Sequence, residues 1–413
     1  MSFETIVCFV VVFVMRIPNV ARAAINLAGV RLRRAERHWR TAAQALGRLG
    51  RQASRQQERL ARAPELARIR VAQSRAAIER SRKRVVRFDD HVLEPYRTER
   101  RIKHTLAREA AASGPLIVGP WTSEVGYEAL YWLPFVAWAA DHYGVRPERI
   151  IALSRGGTDL WYRNVAGTYV EIFDLVDPAE FAKQAAARRE RGDQKQMALS
   201  EFDRELIRLA SRRLGVRDAA VWHPGLMYRL FRPFWYGDRS LDFLLRHTDF
   251  RSIPAVDAAT APALPGEYVA VKFYTGPALP DTDANRSALF ELVQRLAARM
   301  PVVMLDTGWS VDEHHDYAFE GFRNVTTLRP SLDPKTNLGL QTRVIAGARQ
   351  FVGTCGGLAW LAPLLGVDTL AVYEDDRYLT AHLYAAKYAY RRTGAARFST
   401  LNLKALRAVE RFH

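Results

Sequence analysis

From residue 114 onward, short apolar runs alternate with longer stretches of helical periodicity. Leu116–Val118, Arg149–Leu153, Tyr169–Phe173 and Ala219–Trp222 read as strands. Between them lie an aromatic-rich helix at about Tyr127–His142 and a charged helical stretch near Pro178–Leu214. A second series follows, with strands at Tyr268–Phe273, Val302–Leu305, Val325–Leu328, Phe351–Val352 and Thr369–Tyr373. Its helices are expected at Arg286–Arg299, Leu340–Ala348 and Leu358–Leu365, and helical propensity returns at Thr380–Tyr390 and Leu403–Phe412. Strands joined through helices by short connections predict parallel sheets covered on both faces. The Pro- and Ala-rich segment 253–266 reads as a linker between two Rossmann-like domains, 114–252 and 267–413, that face a cleft. The fold class is therefore α/β.

The first 113 residues follow another pattern. Ile6–Met15 is an unbroken apolar run, shorter than the roughly 17–25 residues a bilayer-spanning helix needs. Cationic residues follow it rather than precede it, unlike a secretory leader. Segment 1–19 is read either as a buried element or as a shallow membrane anchor. Segment 20–113 is Ala- and Arg-rich and reads as a long helical arm. Leu32, Trp39, Leu46, Ala53, Leu60 and Ala67 recur every seven residues, a stripe that permits a coiled coil and homo-oligomers.

Composition changes this picture in two respects. The 413 residues include only Cys8 and Cys355, which excludes a disulfide framework and favours a reducing compartment. No Cys/His spacing suggests structural zinc. The formal charge of +17 would suit nucleic acid, but residues 1–113 hold 25 Lys and Arg against 10 Asp and Glu, leaving 36 against 34 in the body. The basicity belongs to the arm, and no nucleic-acid motif accompanies it. An anionic membrane surface is the expected partner, which places the protein in the cytoplasm at the inner face of the membrane.

The most informative motif is Phe351-Val352-Gly353-Thr354-Cys355-Gly356-Gly357, running into Leu358-Ala359-Trp360-Leu361. A strand ending in a glycine turn at a helix start exposes backbone N–H groups, a ready seat for phosphate. Together with the helix at Gln341 and Arg343 and with Gly366-Val367-Asp368-Thr369-Leu370-Ala371-Val372-Tyr373, it resembles glycosyltransferases of the GT-B architecture, broadly the heptosyltransferase-like group acting on bacterial surface glycans. Gly119-Pro120-Trp121-Thr122-Ser123-Glu124-Val125-Gly126-Tyr127-Glu128, at the first strand-to-helix turn, and Tyr268–Tyr274 add to the resemblance. One departure limits it: heptosyltransferases carry a histidine just after the glycine turn, where this chain has Trp360, so their particular donor is not carried over.

The resemblance implies a nucleotide-sugar donor on the second domain and a glycan or lipid-linked acceptor facing the first. Thr354, Cys355, Gly356 and Gly357 would hold the diphosphate, and Lys272 would face the leaving phosphate. Glu374 follows the last strand near the expected ribose, or caps the next helix. Glu124 is read as the base that deprotonates the acceptor hydroxyl and Glu128 as its support, though both could simply serve a helix start. Arg155, beside Gly156-Gly157, and His223 are acceptor-binding candidates. Cys355 lacks the partners of a nucleophile. Adjacent His314 and His315 cannot face one metal from a single element, so transfer without a metal or other cofactor is expected. A nucleotide-sugar epimerase and a non-catalytic glycan-binding scaffold are the competing readings.

Overall fold

The computed structural model describes residues 39–49, 93–192, 195–254, 264–307, 314–317, 319, 321–394 and 396–410. The apolar run at 6–15, most of the heptad stripe and the middle of the linker lie outside the described residues. The chain divides into two compact units, Met1–Arg87 and Phe88–His413. In the first unit residues 39–49 are helical, and Trp39 and Leu46 of the stripe are largely exposed.

The second unit begins with α1 (Glu94–Ala111), which the sequence assigns to the arm. That boundary is corrected: Ile102, Leu106 and Ala110 recur on one face of α1 and are buried against the body. Arg149 secures its end by donating to the carbonyls of Ala110 (3.0 Å), Ala112 and Gly114 (3.1 Å), the groups a helix terminus leaves unpaired. Glu99 lies 3.4 Å from His247 and 2.7 Å from Lys103. Burial works against its charge, yet these two partners hold its carboxyl down at about 2.

The first sheet contains β1 (Leu116–Val118), β2 (Ile150–Ser154), β3 (Thr168–Glu171) and β4 (Ala220–Trp222), in the order β3-β2-β1-β4 and wholly parallel. Its helices include α2 (Leu133–His142), α3 (Pro178–Glu190), α4 (Glu201–Leu214) and α5 (Gly225–Trp235). The predicted stretch 178–214 is thus two helices. The second of them opens on a capping box in which Ser200 and Asp203 bond each other's backbone N–H.

The second sheet is also parallel, with β5 (Val269–Lys272), β6 (Val302–Met304), β7 (Val325–Thr327), β8 (Gln350–Thr354), β9 (Thr369–Tyr373) and β10 (Phe398–Asn402) in the order β10-β9-β8-β5-β6-β7. Its helices include α6 (Asp283–Ala297), α7 (Asn337–Ala346), the short α8 (Gly357–Leu361), α9 (Thr380–Thr393) and α10 (Leu403–Glu410). Pro363, an oddity within a helix, starts a separate 3-10 turn, Ala362–Leu365, where its missing N–H costs nothing. The edge strand β10 is not apparent in the sequence, because Phe-Ser-Thr-Leu-Asn has no run of apolar residues.

Side chains leave each strand in alternation, so each sheet is buried on both faces. Leu116 and Val118 join one core with Trp132 and Phe231, whereas Ile117 faces Phe181 and Leu206. The first of these cores continues into the second sheet through Ala270, Phe351, Trp360 and Tyr390. The architecture is α/β with two parallel sheets, as the sequence predicts.

Candidate functional site

Sheet topology selects where a ligand can sit. From β1 the first sheet extends through β2 to β3 on one side, while β4 lies on the other. Such a reversal opens a crevice at the carboxyl ends of the two central strands. The turn Gly119–Gly126 leaves β1 there, and His223 follows β4. In the second sheet the reversal falls between β5 and β8. Their ends carry Tyr274 and the glycine turn, with Lys272 in register with Gly353.

These two switch points meet. A Cβ on Gly126 would lie 2.9 Å from Gly357 N and 3.1 Å from Trp360 Cδ1, so a side chain there would hold the turns apart. Gly356 has φ +149° and Gly357 φ +40°, and a Cβ on Gly356 would collide with the Tyr274 hydroxyl. Around this contact, Gly339 N donates to Gly156 O at 2.8 Å and Trp161 Nε1 to Thr342 Oγ1 at 2.9 Å. His382 of α9 places Nδ1 2.6 Å from the Tyr131 hydroxyl and Nε2 3.3 Å from that of Tyr127. Burial, reinforced by Lys195, lowers this imidazole to about 4, so it is neutral.

At the first turn the two glutamates part company. Glu124 has extended backbone ahead of the first helical turn, so the pair does not share a helical face. Its carboxylate is about one-third exposed and 2.6 Å from Lys195 Nζ, which also lies 3.6 Å above the Tyr127 ring. Glu128 is fully buried; Oε1 accepts from Ser154 Oγ (2.6 Å) and the Tyr162 hydroxyl (2.7 Å), while Oε2 has no partner. Desolvation raises its carboxyl to about 7 despite the opposing influence of Arg155 and these donors.

The acceptor candidates also look inward. The Gly156 and Gly157 N–H groups do bind an anion, but it is the chain's own Glu171 carboxylate, at 3.0 and 2.8 Å. Arg155 is buried and donates to Ser123 O at 2.9 Å. His223 receives the Gly225 N–H at Nδ1 (3.0 Å) and places Nε2 3.3 Å from Asp203.

On the second sheet, the Thr354 hydroxyl donates to Tyr274 O (3.0 Å) and accepts from Tyr274 N (2.9 Å). Cys355 N donates to Val372 O at 2.8 Å, and burial pushes the thiol up to about 12. Lys272 turns back into the protein rather than out to solvent: it donates to Leu305 O (2.8 Å) and pairs with Asp316 at 3.0 Å. Glu374 accepts from Asn285 Nδ2 (2.9 Å) and from Arg407. These side chains brace the turn, so the predicted phosphate contacts of Thr354, Cys355, Lys272 and Glu374 require groups that are already committed. The Gly356 and Gly357 N–H groups are the candidates that fit the expected role. His314 Nδ1 donates to Thr275 O (2.7 Å), and no group of three metal-ligating side chains occurs among the described residues.

Sequence reasoning did not single out Lys195, Arg188, Glu171, Tyr274 or His382 as site residues. Tyr274 closes a run already noted, but its contact with the glycine turn depends on sheet order. The others approach from separate elements, and no local spacing announces them.

No family model matches the chain, and no curated protein matches it. Among solved structures it resembles the glycosyl transferase family 9 protein of Veillonella parvula at 12% identity and TM-score 0.39, over 70% of this chain and 86% of that one. It also resembles E. coli ADP-heptose lps heptosyltransferase II at 13% identity and TM-score 0.35, over 63% and 85%. E. coli heptosyltransferase WaaC with ADP gives 16% identity and TM-score 0.34, over 72% and 98%.

Proposed function

We propose that this chain is a glycosyltransferase that moves a sugar from a nucleotide-sugar donor to a glycan or lipid-linked acceptor in polysaccharide or glycolipid assembly. The observation that carries this reading is the meeting of the two switch points at Gly126 and Gly357. A transferase must bring an activated sugar and an acceptor hydroxyl together, and the carboxyl ends of the central strands are where α/β sheets bind ligands.

In this reading the hydroxyl oxygen attacks the anomeric carbon as the bond to the nucleoside diphosphate breaks. The Gly356 and Gly357 N–H groups would stabilise the charge developing on the leaving phosphate. Glu124, at the accessible side of the first turn and ion-paired with Lys195, would take the hydroxyl proton. Glu128 would serve as a positioning residue, fixing the turn from below through Ser154 and Tyr162. We read the transfer as metal-independent, since Asp316, Asp306 and Glu374 are bound to Lys272, Arg329 and Arg407. Full activity after exhaustive chelation is expected.

Calorimetric titration with UDP, GDP, ADP, CMP and dTDP tests the reading. One nucleotide should bind selectively and weaken at least tenfold in Gly357→Ala. A folded protein that binds none of them would sink it. Turnover of donor without acceptor would instead indicate the epimerase.

The basic arm would hold the enzyme at the anionic inner face of the membrane; no described helix is long and apolar enough to cross it. Removing residues 1–87, which leaves α1 in place, should abolish sedimentation with anionic vesicles and spare nucleotide binding. Unchanged vesicle binding would remove the arm from this role.

A further inference from the structure

Beside the first turn, on the side covered by α3 and α4, lies a polar cluster formed by Thr122, Ser123, Arg155, Arg188, Gln196, Asp203 and His223. Two guanidinium groups converge on adjacent residues of the turn. Arg155 Nη2 donates to Ser123 O at 2.9 Å, and Arg188 donates to both the hydroxyl and the carbonyl of Thr122. Neither arginine forms an ion pair among the described residues, and Arg155 Nη1 is buried without any hydrogen-bond partner. The one carboxylate of the cluster, Asp203, is already engaged by Gln196, Ser200 and His223. Burial lowers the Arg188 pKa; the charge of Asp203 opposes this, and the like charge of Arg155 lowers it further.

A buried guanidinium N–H without a hydrogen-bond partner is costly, and guanidinium donors suit planar or tetrahedral oxyanions. We propose that Arg155 and Arg188 form a binding site for an oxyanion, a phosphate or carboxylate group, carried by the acceptor beside the first turn. Arg155 is fixed beneath the turn against the Phe181 ring, and half-buried Arg188 is the outer member. Swinging Arg188 off Thr122 admits the anion to the open Nη1. Assigning the oxyanion to an acceptor rests on the glycosyltransferase reading, whereas the site itself does not.

The test is calorimetric titration of the full chain with inorganic phosphate at low ionic strength. Saturable binding at one site is expected, weakened at least tenfold in Arg188→Gln and in Arg155→Lys. Arg397→Gln, at an exposed ion pair with Asp368, should leave it unchanged. No binding to folded protein, or equal affinity in the arginine variants, overturns the proposal. If Arg155→Lys does not fold, Arg188→Gln decides alone, because Arg188 is only half-buried and forms no ion pair among the described residues. Acetate that displaces phosphate at similar concentration identifies a carboxylate ligand; acetate without effect identifies a phosphate. Phosphate binding without nucleotide binding sinks the transferase reading and leaves this site standing, and the reverse result sinks only the site.

Discussion

The two switch points are built from opposite materials. At the second, the side chains expected to touch a ligand are struts: Lys272 on Asp316, Thr354 on Tyr274, Glu374 on Arg407 and Asn285. What they leave open is backbone, at Gly356 and Gly357. At the first, the backbone is bound up, with the Gly156–Gly157 N–H pair closed by Glu171 and Thr122 N held by Gln196 at 3.0 Å. There the unpaired atoms belong to side chains, Glu128 Oε2 and Arg155 Nη1. A leaving diphosphate suits the first arrangement described, because rigid N–H donors need no reorganisation as charge develops. The oxyanion proposed for Arg155 and Arg188 suits the second.

The sharpest way to break the comparison is at Lys272. If it is a strut, Lys272→Met removes the cation from a mostly buried aspartate and should destabilise the fold by roughly 2–4 kcal/mol in chemical denaturation. A loss below about 1 kcal/mol would free Lys272 for a ligand.

The next effect is read against pH. Glu128 is raised to about 7, so its protonated form favours the folded state below about 4.5, and that contribution of about 3 kcal/mol fades as pH rises towards 7. His382, lowered to about 4, has the opposite slope: its contribution is complete above about 6.5 and is lost as pH falls towards 4. In the wild type the two slopes oppose each other. Glu128→Gln should therefore expose a stability that climbs from pH 4.5 to 6.5 more steeply than in the parent. Parallel curves would show that Glu128 is not the buried acid described here.

A smaller loss tests the glycine turn. Gly356→Ala forces an L residue to φ +149° and against Tyr274, at roughly 2 kcal/mol. Adding Tyr274→Phe removes the colliding hydroxyl, so the double variant should lose less than the sum of the two single changes. Strict additivity in thermal melts would separate Tyr274 from the turn. Least affected should be Arg397→Ala, which opens an exposed pair with Asp368 and costs under about 1 kcal/mol by the same measure. A larger loss would make this outer edge a structural strut like Lys272.

Much of this architecture was legible because short apolar runs and helical periodicity leave local marks. The strands at 116–118, 150–154 and 369–373 stand out as apolar runs, and the glycine turn at 356–357 follows one of them. The α1 helix was misassigned for a definite reason: its buried residues are only Ile102, Leu106 and Ala110, spaced every four residues within a strongly basic stretch. Composition concealed a narrow apolar face.

The sequence by itself determined the alternation of strands and helices, the near-neutral body behind a basic arm, and the glycine turns at the strand ends. Those properties depend on residues near one another in the chain. Only the tertiary structure decided which polar side chains remained free. Asp316 reaches Lys272 from 44 positions away, Glu171 closes a turn 14 and 15 positions before it, and Arg188 joins Thr122 across 66. A hydrogen bond or ion pair forms only within a few ångströms, and the sheet order, not the local pattern, brings these groups that close.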